Sequence, residues 1–518
     1  MLRQESINKR WVKISLSALS GVLGFLAFPP FSFSPLAWIF LVPLLLVIKH
    51  CSSKKEGFLY GYFSGLIFFA GLLYWLPNVS VPGTIVLVLY LSVFWGVFGA
   101  ITRIIFKYSA DILILPFFWV VLEYIRGHLF TGFPWGLIAY SQYTNLKFIQ
   151  IADLAGAHGV SFLIIVFNVA ILAYITRMER KIGYLMIALF FLLLATAYGT
   201  NKLDNFKVWG SPRISVVQGN IPQNLKWDPS YARDIEAEYD ILTREVSADK
   251  ADLIIWPETA YPYLIEDSRE APAKLRDLAL RVETPLLAGV IYSDGRDYYN
   301  SALFLSDKGG VIARYDKLHL VPFGEYVPFE KYIPFRRYID KPIGDFKEGE
   351  IYTLFPVRSV SLMNMKGGAL GRQTSFYKFG VLICFEDIFP VLARRFVLKG
   401  ANFLVNMTND AWFGRTAAPE QHLQASVFRA VENRVPVIRA ANTGVSCFID
   451  STGEILSRVK KGDRDTFVSG YATAKVNVAA TRSVYTRYGD VFVVFCGFMI
   501  VILSLTEAFL IKAKSKTR

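Results

Sequence analysis

Leu253-Ile-Ile-Trp-Pro-Glu258-Thr-Ala260 is a short apolar run that ends on a carboxylate. Val381-Leu-Ile-Cys384-Phe-Glu386-Asp387 ends in the same way on a thiol, and Ala313-Arg-Tyr-Asp-Lys317 ends on an ammonium. Short apolar runs that are bounded by polar or turn residues are typical of buried strands. Catalytic groups collect at the carboxyl ends of strands in α/β sheets, so these three segments predict an α/β fold with a functional site at that edge.

The region around these segments, residues 201–487, alternates predicted strands with helical patterns. A helix is predicted over Pro419–Val435, where apolar residues recur at helical spacing. Strands that follow one another within 286–317 predict a mixed sheet. The glycine-containing stretch 358–376 is interpreted as a flexible loop. The predicted strands are Ile214–Gly219, Leu253–Trp256, Leu286–Tyr292, Ala302–Leu305, Phe379–Cys384, Phe403–Asn406 and Val437–Ala440.

The remainder of the chain is unusually apolar. Hydrophobic residues make up 53% of the 518 positions and charged residues only 19%, which excludes a disordered chain. Crossing a bilayer takes about 20 apolar residues. We therefore expect an integral membrane α-helical bundle of eight transmembrane helices, seven within residues 1–200 and the last within 488–518. The stretches that reach or approach the required length are 14–30, 35–48, 57–76, 82–101, 112–124, 160–176, 183–199 and 488–510.

The excess of basic residues predicts how this bundle is oriented. Lys and Arg number 56 against 42 Asp and Glu, a net charge of +14. Five short polar segments hold +11 of that charge, and all five fall on one side if every predicted helix spans. Basic loops face the cytoplasm, so both termini are expected there and the domain at 201–487 outside, with no nucleic-acid partner. The segments are 1–13, 49–56, 102–111, 177–182 and 507–518.

The cysteines and histidines show no pattern of a metal site. The four cysteines, Cys51, Cys384, Cys447 and Cys496, form no CxxC pair and no cluster with histidine, so neither a metal nor another cofactor is expected. If the domain faces an oxidising compartment, the sequence leaves a disulfide between Cys384 and Cys447 as an open alternative. The five histidines are scattered, and His319 and His422 are interpreted as structural residues.

A carboxylate, an ammonium and a thiol form a chemically complete set for acyl transfer. The thiol of Cys384 becomes a nucleophile once a base removes its proton. Glu258 can be that base if burial raises its pKa, and Lys317 can stabilise a developing oxyanion. Taken singly, each residue also has a structural interpretation as a buried strand cysteine, a helix-capping carboxylate or a solvated lysine.

Further stretches extend the pattern over nearly the whole chain: Thr131-Gly-Phe-Pro-Trp-Gly136, Ala139-Tyr-Ser-Gln142, Val217-Gln-Gly-Asn-Ile-Pro-Gln223, Lys226-Trp-Asp228, Tyr315–Pro328, Asn406–Gly414 and Asn442-Thr-Gly444. With them, the domain at 201–487 resembles the nitrilase, or carbon–nitrogen hydrolase, superfamily, and the whole chain resembles the apolipoprotein N-acyltransferase family of bacterial membrane enzymes. The resemblance implies an αββα sandwich with Glu258 as general base, Lys317 as oxyanion stabiliser and Cys384 as nucleophile.

The resemblance also implies supporting residues around this triad. Glu325 is similar to an additional essential glutamate of the family, and Glu386 and Trp227 match positions that the family uses near its active site. Phe385 stands where the family often has tyrosine, so the ring is kept and the hydroxyl is lost.

The function that the resemblance implies is transfer of an acyl chain from a phospholipid, with phosphatidylethanolamine as the expected donor. The acceptor is the α-amine of a diacylglyceryl-cysteine apolipoprotein, and the chain passes through a thioester on Cys384 in a ping-pong reaction. The expected location is the bacterial inner membrane, with the catalytic domain on the periplasmic face and the lipid bilayer as a partner.

Two other functions stay open from the residues alone. A membrane-tethered amidase would use the same triad with water as acceptor. A transporter with an outer binding domain would place ionisable residues within the helices, where the sequence shows only Glu123 and Glu507, both near helix ends. The aromatic residues Phe130, Phe133, Trp135 and Tyr140 are interpreted as an interfacial belt rather than as guides for acyl chains.

Overall fold

The computed structural model describes residues 7–108, 111–267, 270, 272–326, 345–364 and 370–516. The chain divides into two compact units. The first unit consists of Met1–Asn205, Thr416–Gln424 and Tyr488–Arg518, and the second of Phe206–Arg415 and Ala425–Arg487.

Helices make up most of the first unit and cover the sheets of the second. Prolines begin several of them, because a proline at the first helical turn lacks only an N–H that would have no partner within the helix. The helices are α1 (Arg10–Leu26), α2 (Val42–Lys49), α3 (Lys54–Leu72), α4 (Val81–Tyr108), α5 (Leu115–Arg126), α6 (Leu146–Ile149), α7 (Ala152–Ile175), α8 (Lys181–Asp204), α9 (Ala232–Ser247), α10 (Ala273–Val282), α11 (Pro390–Lys399), α12 (Ala418–Asn433), α13 (Val484–Tyr488) and α14 (Val491–Lys516).

Three helices of the first unit, α4, α7 and α8, are long and apolar enough to cross a membrane. The structure therefore supports three of the eight predicted spans. Two of the others are helices shorter than the length that crosses a bilayer: α2 has 8 residues and α5 has 12. The predicted span 35–48 is interrupted because Pro43 starts a new helix after the short 3-10 turn Ser34–Trp38.

The helical unit buries more ionisable side chains than the sequence indicated. Besides Glu123, the side chains of Arg126 and His158 are buried there. Arg126 Nη1 donates to the Trp135 main-chain oxygen at 2.8 Å, and His158 Nδ1 lies 3.8 Å from Glu123 Oε2. Trp135 is itself buried and Phe130 is exposed, so the four aromatic residues do not form one exposed belt.

Helices α3 and α4 pack closely through glycines. Gly57, Gly61 and Gly65 lie on one face of α3 at four-residue spacing and meet Trp95 and Gly99 of α4. A Cβ added at Gly61 would lie 2.4 Å from the Trp95 main-chain oxygen. Small residues at this spacing let two helix backbones approach, which is a common basis of helix association in membranes.

The second unit contains two mixed β-sheets. Its strands are β1 (Val208–Gly210), β2 (Arg213–Gln218), β3 (Leu253–Ile255), β4 (Leu264–Ile265), β5 (Leu286–Ser293), β6 (Tyr298–Leu305), β7 (Val311–Asp316), β8 (Leu354–Asn364), β9 (Leu370–Ile383), β10 (Phe403–Thr408), β11 (Val437–Ala441), β12 (Cys447–Ile449), β13 (Ile455–Arg458), β14 (Gly470–Lys475) and β15 (Val478–Ala479). One sheet has the order β14-β2-β3-β5-β6-β7 with β4 beside β5, and the other the order β13-β12-β11-β10-β9-β8. A separate ribbon pairs β1 with β15.

The two sheets face each other through aromatic side chains. The Phe304 ring on β6 lies 5.7 Å from that of Phe355 on β8 and 5.6 Å from that of Phe379 on β9. On the outer face of the first sheet, α9 buries Tyr239 against Trp256. The apolar face of α9 follows the helical period, which is why this otherwise polar helix packs on the sheet.

The predicted strands and the predicted mixed sheet are confirmed, and the helix over 419–435 is observed as α12. The prediction of a flexible loop over 358–376 is wrong, because this stretch forms an antiparallel hairpin in which Arg358 pairs with Phe376 and Val360 with Thr374. Over residues 355–360 of β8 and 375–379 of β9, side chains alternate between buried, such as Val357 and Tyr377, and more exposed, and this period of two is typical of a strand. The glycines that suggested a loop fall mostly within 365–369, outside the described residues.

Replacing Gly61 with Ala should lower the unfolding temperature of the protein in detergent. The new methyl group meets the Trp95 main-chain oxygen, which cannot rotate away, and overpacking of this kind costs about 1–3 kcal/mol. Gly183 on α8 has nothing within 4 Å of an added Cβ, so Gly183→Ala is the matched control and should leave the unfolding temperature unchanged or higher. An equal response of the two variants in a thermal-unfolding assay would contradict the close packing of α3 and α4.

Candidate active site

The three reactive side chains predicted from the sequence all follow strands. Glu258 comes after β3, Lys317 directly after β7 and Cys384 directly after β9. Glu258 lies in a tight turn in which Thr259 has a φ of +45°. The turn packs so closely on β5 that a Cβ at Gly289 would lie 2.1 Å from the Pro257 oxygen, and only glycine fits there.

Glu258, Lys317 and Glu325 form one buried charge cluster. The Lys317 ammonium lies 2.9 Å from Glu325 Oε1 and 3.7 Å from Glu258 Oε1. Asn300 Nδ2 donates to the same oxygens of both carboxylates, at 2.7 Å to Glu258 and 2.9 Å to Glu325. Glu325 Oε2 accepts from the Val321 N–H. A single ammonium thus holds two carboxylates together, and Asn300 fixes their orientation.

The charge of Lys317 follows from these neighbours. Burial disfavours an ammonium and acts to lower its pKa, but the carboxylates of Glu325 and Glu258 outweigh burial and raise the pKa of Lys317 above its usual range. Lys317 is therefore positively charged at neutral pH. A fixed ammonium in a desolvated site is suited to stabilise an oxyanion.

Cys384 is held in a strained conformation at the end of β9. Its φ is +51°, which is uncommon for a residue other than glycine and is often associated with functional sites. Asn406 Nδ2 donates to the main-chain oxygens of Cys384 and Leu382, at 3.0 and 3.2 Å. All four cysteines are free, and Cys447 is wholly buried on β12, so the disulfide left open by the sequence is not formed.

The thiol of Cys384 is neutral at rest. Part of the residue is accessible to solvent, yet the protein around the sulfur desolvates it, and this burial raises the pKa of the thiol well above its usual value. The Glu258 carboxylate raises this pKa further, whereas the Lys317 ammonium acts in the opposite direction. Since the thiolate is the nucleophile, Cys384 needs a base at the moment of reaction.

Both carboxylate oxygens of Glu258 accept hydrogen bonds. Asn300 Nδ2 donates to its Oε1, and the Asn409 main-chain N–H donates to its Oε2 at 2.8 Å. Both oxygens of the carboxylate are therefore fixed, one from the first sheet and one from the segment that follows β10. The Glu258 carboxylate also interacts electrostatically with the Cys384 thiol, because its negative charge raises the pKa of that thiol.

Glu386 lies behind the site and joins the backbone on both sides of it. One oxygen accepts from the Leu318 and His319 N–H groups at 2.6 and 3.0 Å, and the other from the Ile383 N–H at 2.6 Å. The Tyr315 hydroxyl donates to both. Burial raises the pKa of Glu386 to about 7, although these N–H donors favour the carboxylate. The side chain thus ties the segment after Lys317 to the residue before Cys384.

Trp227 and Phe385 have looser relations to the cluster. Trp227 is half-buried, and within the described residues its indole N–H has no hydrogen-bond partner. The Phe385 ring packs 5.2 Å from that of Phe389 and 6.2 Å from that of His319, so His319 is part of an aromatic group. His422 belongs to the helical unit, where its ring lies 5.4 Å from that of Trp135.

The sequence did not identify the amide side chains that hold the site together. Asn442 Nδ2 donates to Asn409 Oδ1 at 2.9 Å, and Asn409 Nδ2 donates to Gln223 Oε1 at 2.8 Å. Asn300, which bridges the two carboxylates, was also missed, as was the role of Lys226, which donates to the Glu258 main-chain oxygen. Four of these residues lie in stretches quoted above for the family resemblance: Gln223, Lys226, Asn409 and Asn442. Across the described part of the chain, no group of three His, Cys, Asp or Glu side chains is arranged to hold a metal ion.

Two family profiles match this chain. The profile described as the apolipoprotein N-acyltransferase N-terminal domain matches residues 20–170, and the carbon-nitrogen hydrolase profile matches residues 213–485. The apolipoprotein N-acyltransferase of Geobacter metallireducens is 40% identical over 507 residues, covering 93% of this chain and 92% of the relative. That of Chlorobaculum tepidum is 30% identical over 539 residues, covering 95% and 96%. A solved amidase of the nitrilase superfamily from Nesterenkonia AN1 is 18% identical with a TM-score of 0.35, over 53% of this chain and 93% of the amidase.

Glu258 and Lys317 should have opposite effects on the reactivity of Cys384. Because the Glu258 carboxylate raises the pKa of the thiol and the Lys317 ammonium lowers it, Glu258→Gln should speed alkylation by iodoacetamide and Lys317→Met should slow it. We expect changes of about 3- to 30-fold at a given pH, since one pKa unit is tenfold in thiolate. Rates are measured for the purified protein in detergent, with Cys384→Ser as the background and the exposed Glu350→Gln as the control. A change in the same direction in both variants would contradict this electrostatic account.

Glu386 should make the protein less stable as the pH rises from about 4.5 to 7. Its pKa is near 7 in the folded protein and about 4.3 in an unfolded chain, so the folded state binds more protons in this window and loses stability as they leave. Across these pH values, the unfolding temperature should fall more for the wild type than for Glu386→Gln, whose amide does not titrate. Parallel curves for the two proteins in scanning fluorimetry would show that Glu386 is not the titrating group.

Proposed function

Because the chain belongs to the apolipoprotein N-acyltransferase family, we propose that it transfers an acyl chain from a phospholipid to the α-amine of a diacylglyceryl-cysteine apolipoprotein. The observation that carries the chemistry is the site in which a neutral thiol, a carboxylate and a charged ammonium follow three strands. The proposed catalytic domain is residues 201–487.

The first half-reaction forms an acyl-enzyme. Glu258 accepts the proton of the Cys384 thiol as the sulfur attacks the ester carbonyl carbon of the donor, proposed as phosphatidylethanolamine. Lys317 stabilises the oxyanion of the tetrahedral intermediate. The C–O bond then breaks, Glu258 returns the proton to the leaving alkoxide, and a lysophospholipid departs. The acyl chain stays on Cys384 as a thioester.

The second half-reaction releases the chain to an amine. The α-amine of the diacylglyceryl-cysteine attacks the thioester carbonyl, and Glu258 accepts a proton from the nitrogen. The C–S bond breaks, an amide forms, and the proton passes to the Cys384 sulfur. The enzyme returns to its resting state, so the two substrates react in turn at one nucleophile.

The supporting residues have distinct proposed roles. Glu325 keeps Lys317 charged and in place, and Glu386 fixes the backbone that carries Lys317 and Cys384. Trp227 offers its indole N–H and ring to a substrate, while Phe385 contributes only an apolar ring.

The membrane is the proposed site of action. Both substrates carry lipid chains, and three helices of the first unit are long and apolar enough to span a bilayer. The distribution of basic residues supports the cytoplasmic membrane with both termini inside and the catalytic domain on the periplasmic face.

Replacing Cys384 with Ser or Ala should abolish acyl transfer in detergent micelles that contain a fluorescent phospholipid and a diacylated lipopeptide. With the wild-type protein and no lipopeptide, a labelled thioester and one equivalent of lysophospholipid should accumulate. Adding the lipopeptide should then discharge the thioester to an amide product, resolved by mass spectrometry. Transfer at the wild-type rate by either variant would rule out the cysteine mechanism, and discharge as free fatty acid would identify a hydrolase instead.

A further inference from the structure

Lys226 is a buried lysine in the loop after β2. It is 6% exposed, and its ammonium donates to the main-chain oxygen of Glu258 at 2.9 Å. Among the residues that the structure describes, no carboxylate oxygen lies within 4 Å of the Lys226 ammonium. The main-chain oxygen of Glu258 is its one hydrogen-bond acceptor there. Two of its three N–H groups are therefore left without a protein acceptor.

An ammonium buried without a paired anion is costly, and such groups shift their pKa or occur where a charge develops. Burial lowers the pKa of Lys226 to about 8, whereas the charges of Glu258 and Cys384 act to raise it. The main chain that Lys226 holds is that of Glu258, the carboxylate of which lies beside Lys317. Lys226 therefore contacts the main chain of a residue whose carboxylate belongs to the charge cluster.

Without Lys226, the cluster of Glu258, Glu325 and Lys317 has two negative charges and one positive charge. Glu258 and Glu325 are two carboxylates, and Lys317 is the ammonium that both of them contact. Adding Lys226 makes two carboxylates and two ammonium groups. When Glu258 takes the thiol proton, the negative charge moves from its carboxylate to the Cys384 sulfur, and a charge at this new position in a desolvated site is favoured by a nearby cation.

We infer that Lys226 is a second cation of the acyl-transfer site, which positions Glu258 through its main-chain oxygen and stabilises the negative charge that develops on the Cys384 sulfur. The inference rests on the proposed function in taking Cys384 as the nucleophile. Nothing in it depends on the identity of the acyl donor or acceptor. Lys317 remains the residue that stabilises the oxyanion. Lys226 stabilises the thiolate that forms when Glu258 takes the thiol proton.

The test compares three substitutions at one position. Lys226→Gln keeps an N–H donor for the Glu258 oxygen and removes the charge, Lys226→Met removes both, and Lys226→Arg keeps the charge. The rate of Cys384 alkylation by iodoacetamide is measured between about pH 7 and 9 for the full chain in detergent, with Cys384→Ser as the background. The exposed Lys308→Gln is the control for a lost surface charge.

At about pH 7, where Lys226 is charged, we expect the Gln and Met variants to react about 3- to 10-fold more slowly than the wild type, which corresponds to a rise of half to one unit in the thiol pKa. Because burial lowers the pKa of Lys226 to about 8, this difference should shrink towards about pH 9. Lys226→Arg and Lys308→Gln should react within about twofold of the wild type. Unfolding temperatures identify a variant that fails to fold, and Lys226→Gln still decides the question if Lys226→Met does not fold.

Two outcomes would overturn the inference. If Lys226→Gln is alkylated at the wild-type rate but loses acyl transfer, Lys226 only positions Glu258. If Lys226→Arg is as slow as Lys226→Gln, packing rather than charge is responsible. The alkylation rates do not require a lipid substrate, so a wild-type protein that transfers no acyl chain would refute the proposed function without deciding the role of Lys226.

Discussion

An ammonium buried between two carboxylates is the interaction on which the active site depends. Taking Lys317, Glu258 and Glu325 out of water costs several kcal/mol per ion, and this cost is offset only where the partners are close and their remaining polar atoms are satisfied. The structure meets that condition with Asn300, which donates to both carboxylates. Moving any of these groups by an ångström would leave a buried charge unpaired, so the requirement for stability also fixes the geometry for chemistry.

The need to hold buried charges in a fixed geometry also bears on how the site is built from two sheets. Glu258 and Lys317 follow strands of the first sheet, and Cys384 follows a strand of the second. Main-chain N–H groups join the segments that follow the two sheets. The N–H of Asn409, which follows β10, donates to the Glu258 carboxylate. The N–H groups of residues 318 and 319, which follow β7, donate to the carboxylate of Glu386, two residues after Cys384. A carboxylate that accepts main-chain donors from the opposite sheet sets the separation of the reacting groups more firmly than contacts between flexible side chains.

The sequence indicated that Glu258, Lys317 and Cys384 follow strands because each one ends an apolar run, and strand ends in an α/β sheet are local features. It did not allow Asn300 or Lys226 to be assigned, because both act through hydrogen bonds to residues distant in sequence: Asn300 to Glu258 and Glu325, and Lys226 to Glu258. The pairing of β8 with β9 was missed because the glycines in the sequence between and beside these strands outweighed the alternation of the strands in the prediction. The structure supports three of the eight predicted spans, and the apolar run 35–48 is divided by a proline into a turn and a short buried helix, which its hydrophobicity alone did not reveal.

Burial affects the thiol and the lysines of the site in complementary ways. Desolvation favours the neutral thiol at Cys384 and also disfavours the ammonium at Lys226, whereas carboxylates keep Lys317 charged. Under the proposed mechanism, proton transfer to Glu258 removes one negative charge from the cluster as another appears on sulfur, so the net charge of the buried site stays constant. A site that conserves its charge in this way needs little reorganisation of the surrounding dipoles as the proton moves.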